Sequence, residues 1–142
     1  MKRILILFAV IVFLIGCSDS DGDGVVEIRD RFFITQVMDI HINADEYVGR
    51  TIRYEGIFLT THWAATGEDY HQVIRYVDDC CGDGGIIGFM IYLGDIEPLP
   101  DDAWVEVTGV LEWFEIGGFR FPRLAAVSVT EMSERGEEIV SS

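Results

Sequence analysis

Two long stretches of alternation, residues 51–61 and 104–115, constrain the fold of this chain more than any other feature. In the first, Ile52, Tyr54, Gly56 and Phe58 share one face, and Arg53, Glu55 and Ile57 share the other, because successive side chains of a strand point to opposite sides. In the second, Val105, Val107, Gly109, Leu111 and Trp113 form the expected core face, opposite Trp104, Glu106, Thr108, Val110, Glu112 and Phe114. A glycine inside an otherwise good strand marks a bulge or a sharp bend. Gly56 and Gly109 therefore predict strands that turn corners, as those of a small closed barrel must.

The remainder is rich in β-branched and aromatic residues with turn residues between the runs. Six strands are expected, at residues 33–42, 51–61, 70–77, 86–93, 104–115 and 119–130. Asn43 is a candidate cap for a short helical turn that Gly49 stops, and Ile116-Gly117-Gly118 reads as a hairpin turn. The expected fold is all-β: a small OB-like barrel of five strands, with residues 33–42 as an added N-terminal strand. This β domain spans residues 32–131, and residues 132–142 form a polar tail.

The N-terminus carries an address. Lys2-Arg3, the apolar run from Ile4 to Ile15, and Leu14-Ile15-Gly16-Cys17 read as a bacterial lipoprotein signal over residues 1–16, with a basic start, a greasy middle and a small residue before the cut. The run is shorter than the roughly 20 apolar residues of a comfortable membrane span. Cys17 is the expected lipid-bearing residue, so the protein is expected on the extracytoplasmic side of a bacterial membrane, held there by acyl chains. Residues 17–31 are expected as an acidic, flexible tether. Asp19, Asp21, Asp23 and Gly24, with Asp30 where a bidentate Glu normally sits, also match part of an EF-hand calcium loop; Cys17 leaves no room for the entering helix, which favours the tether.

The formal charge of the chain is −15, and removal of Lys2 and Arg3 with the signal leaves no lysine. A surface of that sign repels a phosphate backbone, so nucleic acid is not an expected partner. Anionic headgroups are disfavoured likewise, which leaves membrane attachment to the lipid.

Apart from Cys17, the cysteines are the adjacent pair Cys80-Cys81. Neighbouring alpha carbons lie about 3.8 Å apart, below the roughly 4.4–6.8 Å of ordinary disulfides. The segment Asp78-Asp79-Cys80-Cys81-Gly82-Asp83-Gly84-Gly85 concentrates reactive side chains. Its carboxylates disfavour bare thiolates unless a cation reverses the field, which points away from a thiol enzyme and towards a metal. Three readings stand: a structural loop, a soft or borderline metal site such as zinc, and a redox pair. Two adjacent cysteines do not close a zinc site alone. If residues 51–61 and 70–77 form a hairpin, His62 and His71 sit at its connecting end, and Cys80 lies roughly 25 to 30 Å from His71 at about 3.3 Å per residue. His41 falls at the Cys80 end and is the histidine in reach. The candidate metal set is therefore Cys80, Cys81, Asp83 and His41. His62, His71, Glu68 and Asp69 form a second, weaker cluster, and Trp63, Tyr70, Tyr76, Phe119 and Phe121 are candidates for an OB binding face.

Asn43-x-x-x-Tyr47-x-Gly49-Arg50-Thr51-Ile52, then Gly56, then Cys80-Cys81 ahead of a glycine-rich link, then Trp104-Val105-x-Val107-x-Gly109 resembles the C-terminal OB-like domain of an uncharacterised bacterial family described as a subunit of a two-component membrane permease complex. The similarity covers residues 33–130. Members carry transmembrane helices before this domain, where the present chain has a lipid signal, and an Asp three residues after the second cysteine, where Asp83 follows by two. The resemblance implies an OB-like domain and a membrane permease subunit as partner.

No phosphate loop, nucleophile elbow or paired-histidine helix motif is present, so a hydrolase has no support. The expected function is a lipid-anchored, extracytoplasmic OB-like binding module, an accessory to a transporter, holding a divalent metal at the Cys-Cys loop. The alternatives are a metal-free protein-interaction module and a thiol-redox protein that uses the vicinal cysteines.

Overall fold

The computed structural model describes residues 24–78 and 84–141. Among these residues seven strands run in the order β1 (Val25–Glu27), β2 (Thr51–Trp63), β3 (Glu68–Val77), β4 (Gly85–Tyr92), β5 (Trp104–Ile116), β6 (Phe119–Glu131) and β7 (Ile139–Val140), with helices α1 (Phe33–Ile42) and α2 (Ala44–Tyr47) between β1 and β2. The spatial order β2-β5-β6-β4-β3 closes on itself through a β2–β3 pairing. Four of these five contacts are antiparallel and one, β4 with β6, is parallel. The result is an OB-like closed barrel of five strands, as the alternation predicts, and closure removes the edges an open sheet would expose.

The two strand glycines explain how the barrel closes. β2 pairs with β5 over Thr51 to Ile57 and with β3 from Ile57 onward, so it changes partner next to Gly56. A Cβ on Gly56 would lie 2.8 Å from the Ile74 carbonyl oxygen, too close for any other residue without backbone movement. At Gly109 a Cβ would meet the Ala125 oxygen at 2.9 Å, and the β5–β6 register shifts between Thr108 and Gly109. Both glycines stand where a strand bends against a close neighbour.

The core contains Ile52, Phe58, Val105, Val107, Leu111 and Leu124, each fully buried. The register read for residues 104–115 holds at Leu111, whereas Trp113 is only half-buried. It packs against the rim of the core, donates its indole N–H to Asp45 Oδ1 at 3.0 Å, and lies under the Arg120 guanidinium at 4.1 Å.

Three sequence expectations are corrected. Residues 33–42 are helix α1, not a strand. Phe33, Val37, Ile40 and Ala44 are all buried, a helical spacing, whereas a strand would have put Thr35, Asp39 and His41, which are exposed, on the face of Phe33. An added N-terminal strand does exist, but it is β1, which pairs in parallel with β2 from Val25↔Thr51 to Glu27↔Arg53. The tether assigned to residues 17–31 therefore overlaps the folded domain from Val25 onward, and Ile28 belongs to the core. At the other end, residues 132–142 are not simply a tail: β7 pairs in parallel with Tyr76 and Val77 of β3, burying Val140. The domain thus extends past both limits of residues 32–131.

Candidate ligand-binding cleft

Two hairpins converge on one side of the barrel. In the first, β2 turns into β3 through a loop whose Gly67 N–H donates to the Trp63 carbonyl at 2.8 Å, with Gly67 at φ +72°. Cross-strand pairing then sets His62 opposite Asp69 and Thr61 opposite Tyr70. In the second, Gly117 and Gly118, at φ +59° and +79°, form the two-residue turn from β5 to β6, a conformation that asks for positive φ at both positions. Trp63 and Tyr70 meet edge to face at 5.6 Å between ring centroids. Tyr70 in turn lies 6.3 Å from Phe114 of the other hairpin.

Between them lies an open cleft of about 460 Å³ lined by Glu68, Tyr70, His71, Met90, Tyr92, Phe114 and Arg123, among others. Its volume falls in the ~300–1,000 Å³ range of small-ligand sites. A second hollow, about 280 Å³ and bounded by His62, Trp63 and Gln72, shares Tyr70 and Met90 with it. Trp63, Tyr92, Phe119 and Phe121 are exposed, and Phe119 and Phe121 pair at 6.4 Å.

The polar groups of the cleft are held by neighbours. Arg123 faces Glu112 across the β5–β6 ladder and donates its Nε–H to Glu112 Oε1 at 2.7 Å. Its guanidinium lies 4.6 Å from the Tyr92 ring and 4.3 Å from that of Phe114, so cation–π attraction fixes the plane. Tyr70 donates its hydroxyl to Glu68 Oε2 at 2.8 Å. His71 stacks on Phe58 at 5.5 Å, with Nδ1 3.2 Å from Thr60 Oγ1. His62 Nδ1 contacts Asp69 Oδ1 at 2.8 Å, both side chains being largely exposed.

Of the expected second cluster the structure pairs only His62 with Asp69; His71 contacts Thr60 and Glu68 contacts Tyr70 instead. Of the proposed binding aromatics, Trp63 and Tyr70 line these hollows. Tyr76 does not: it pairs with Ile139 of β7. Sequence reasoning missed Tyr92, Phe114 and Arg123 as site residues. A signal for Arg123 exists in the glutamate that the hairpin register sets opposite it.

His41 lies on α1 beside a mostly apolar groove of about 480 Å³ lined by Ile34, Met38, Ile42, Val77, Ile86 and Ile87. Its ring stacks on Phe89 at 4.6 Å, and Nε2 is 2.9 Å from the Gly88 oxygen. A carbonyl only accepts, so Nε2 carries the proton, and in the neutral ring Nδ1 keeps its lone pair. Val77 and Gly85 pair across β3 and β4; Cys80, Cys81 and Asp83, between them in sequence, lie outside the described residues, as do Cys17, Asp19, Asp21 and Asp23. Asp30, the last candidate calcium ligand, engages Arg75 at 2.7 Å. Among the described residues no group of three His, Cys, Asp or Glu side chains could hold a metal ion. Among them, too, no helix is long and apolar enough to cross a membrane.

Comparison with the curated proteins and with the solved structures gives no match. The model of one protein family, described as the DUF1980 C-terminal domain, matches residues 17–139. With the barrel, its glycine corners and most of the chain inside that match, the protein belongs to the DUF1980 C-terminal domain family.

Proposed function

We propose that this protein is a lipid-anchored, extracytoplasmic OB-like binding module whose ligand occupies the cleft between the β2–β3 and β5–β6 hairpins. The observation that carries this reading is the meeting of Tyr70 and Phe114, aromatic residues from different hairpins, 6.3 Å apart beside an open cleft with an oriented Arg123. Half-buried Tyr70 and Phe114 with exposed Trp63 and Tyr92 make a contiguous aromatic surface of the kind that marks a binding site, and OB-type barrels use the face between these two hairpins for binding. The anchor rests on the Leu14-Ile15-Gly16-Cys17 sequence, and association with a membrane permease subunit rests on the family resemblance. The test is a screen of small organic fragments against the isotope-labelled protein by NMR. Fragments should shift resonances of Tyr70, His71 and Phe114 before those of the α1–β4 groove; fragments that collect at the groove, or nowhere, would contradict the reading.

A second reading concerns the Cys-Cys loop. What supports it is the tautomer of His41: a ring whose one nitrogen donates to a backbone carbonyl presents the other to a metal, a common orientation for a ligating histidine. We propose that Cys80 and Cys81, with His41 and Asp83, hold zinc at this end of the barrel, with affinity that falls as pH drops because the ligands must lose protons. Zinc content equal in the parent and in Cys80→Ser/Cys81→Ser would refute it. Reversible oxidation of the pair with no zinc in the reduced parent would favour the thiol-redox alternative, and neither behaviour would leave a metal-free interaction module.

A further inference from the structure

We infer that the projecting end of the β5–β6 hairpin dips its apolar face into the bilayer that holds Cys17; this rests on the lipid anchor proposed above. β2 pairs with β5 as far as Val110, and β4 pairs with β6 only over Arg123 to Ala125. Among the described residues, 113–122 pair only with one another, as a two-stranded ribbon that continues past the barrel wall.

The ribbon is amphipathic, because cross-strand partners share a face. Phe114 stands opposite Phe121 and Ile116 opposite Phe119, whereas Glu115 stands opposite Arg120 on the other side. Phe119 is 69% and Phe121 42% exposed, with their rings 6.4 Å apart, while Arg120 lies over the Trp113 ring on the charged face. Aromatic side chains so placed suit the membrane–water interface, where an amphipathic element buries its apolar side about 5–10 Å deep.

The direction and length of the chain before β1 identify the occupant. Val25, Thr51 and Val110 lie in one row across β1, β2 and β5. β1 runs parallel to β2, and β2 antiparallel to β5, so the chain ahead of Val25 departs the way β5 runs from Val110 to Ile116. Ile116 lies about 20 Å past Val110 along the strand. Cys17 reaches back from Val25 by at most about 26–29 Å. The lipid-bearing residue and the ribbon tip therefore fit one plane.

A protein partner has less to hold. Ile116, Phe119 and Phe121 around a turn of two glycines offer far less than the roughly 800 Å² per partner of a stable interface, whereas lipid takes side chains singly. The contact is apolar and needs no basic residue, so the formal charge of −15 does not oppose it in zwitterionic lipid.

The test is tryptophan quenching in the full-length protein, inserted through its lipid into phosphatidylcholine vesicles whose acyl chains carry bromine near the headgroup. The emission that Phe119→Trp adds to the parent should fall roughly twofold or more on bromination. That added by Glu131→Trp, exposed at the opposite end of β6, should not change. Phe121→Asp in the Phe119→Trp background should remove the quenching, and an unaltered circular dichroism spectrum shows that each variant is folded. With lipid on Cys17 by intact mass, equal quenching at positions 119 and 131, or none at either, overturns the inference and leaves the anchor standing. Absence of that lipid overturns both, since the reach is counted from Cys17. A position 119 that bromine does not quench but that is shielded from aqueous iodide would give the face to a protein, a second copy included, and so overturns the inference as well.

Discussion

Asp30 Oδ1 lies 2.7 Å from Nη2 of Arg75, and that guanidinium is 1% exposed although Asp30 itself is in contact with water. Arg75 also donates from Nε to the Glu55 carbonyl at 2.9 Å and is flanked by the Phe33 ring at 4.3 Å and the Trp104 ring at 5.2 Å. Its Nη1 has no hydrogen-bond partner among the described residues. The pair fastens the turn before α1 to strand β3, holding the helix over the barrel. Loss of Asp30 leaves a buried charge poorly compensated. Asp30→Ala should cost about 1–3 kcal/mol, with water access at Asp30 holding the figure down. Arg75→Met in the Asp30→Ala background should recover part of that loss, because no unpaired charge then remains. Urea unfolding of the four variants of this cycle measures both effects.

Tyr54 is the second polar group in the core. Its hydroxyl donates to the Val73 carbonyl at 2.7 Å and accepts from the Phe89 N–H at 3.2 Å, bridging β3 and β4. Tyr54→Phe orphans both backbone groups and should cost about 1–3 kcal/mol. Burial pushes the phenol well above its ordinary range. In alkali the unfolded chain releases this proton near pH 10 while the folded protein keeps it, so stability must fall as pH rises above about 10. The same alkaline unfolding curve for Tyr54→Phe should be less steep.

At the acid end the sign reverses. Asp39 accepts hydrogen bonds from the Tyr47 hydroxyl at 2.5 Å and from Asn43 Nδ2 at 2.7 Å, and Tyr47 first, then Asn43, holds its carboxyl below the usual carboxylate range. The stabilisation is present above the unfolded value of about 3.9 and is lost as pH falls through the lower folded value. Asp39→Asn should flatten the acid limb of thermal stability measured between pH 5 and pH 2 by calorimetry, because the variant starts lower at pH 6 and converges on the parent near pH 2.

The barrel was legible because β2, β5 and β6 are long enough for alternation to register, and because Gly56 and Gly109 interrupt it where strands bend. α1 was misread since Phe33, Ile34, Thr35, Val37, Ile40 and Ile42 are strand-favouring residue types, and the helical spacing of the buried ones had to compete with that composition. β1 and β7, of three and two residues, are too short to show any period. Trp63 and Tyr70 were legible as binding candidates because both flank a hairpin loop. Phe114 and Arg123 were not, since their approach to Tyr70 and Tyr92 comes from barrel closure; the local sequence carries only the signal of Glu112 opposite Arg123 in the hairpin. Arg75 reads as a solvated strand residue until α1 and Trp104 cover it.

Substitution at the corners tests the closure directly. Gly56→Ala and Gly109→Ala would press a methyl group against the Ile74 and Ala125 carbonyl oxygens, at 2.8 and 2.9 Å, and each should cost about 1–3 kcal/mol by overpacking. Gly118→Ala, with nothing within 4 Å of the added carbon, should cost only what its positive φ imposes, about 1 kcal/mol. Chemical denaturation of the three separates steric closure from backbone freedom.

The central claim is that the cleft between the two hairpins is the ligand site, and the most direct measurement is a crystal structure of the protein soaked in the fragments described above. The account predicts density in van der Waals contact with Tyr70 and Phe114 and within hydrogen-bond reach of Arg123. Density confined to the α1–β4 groove beside His41, with the hairpin cleft filled only by water, would contradict it.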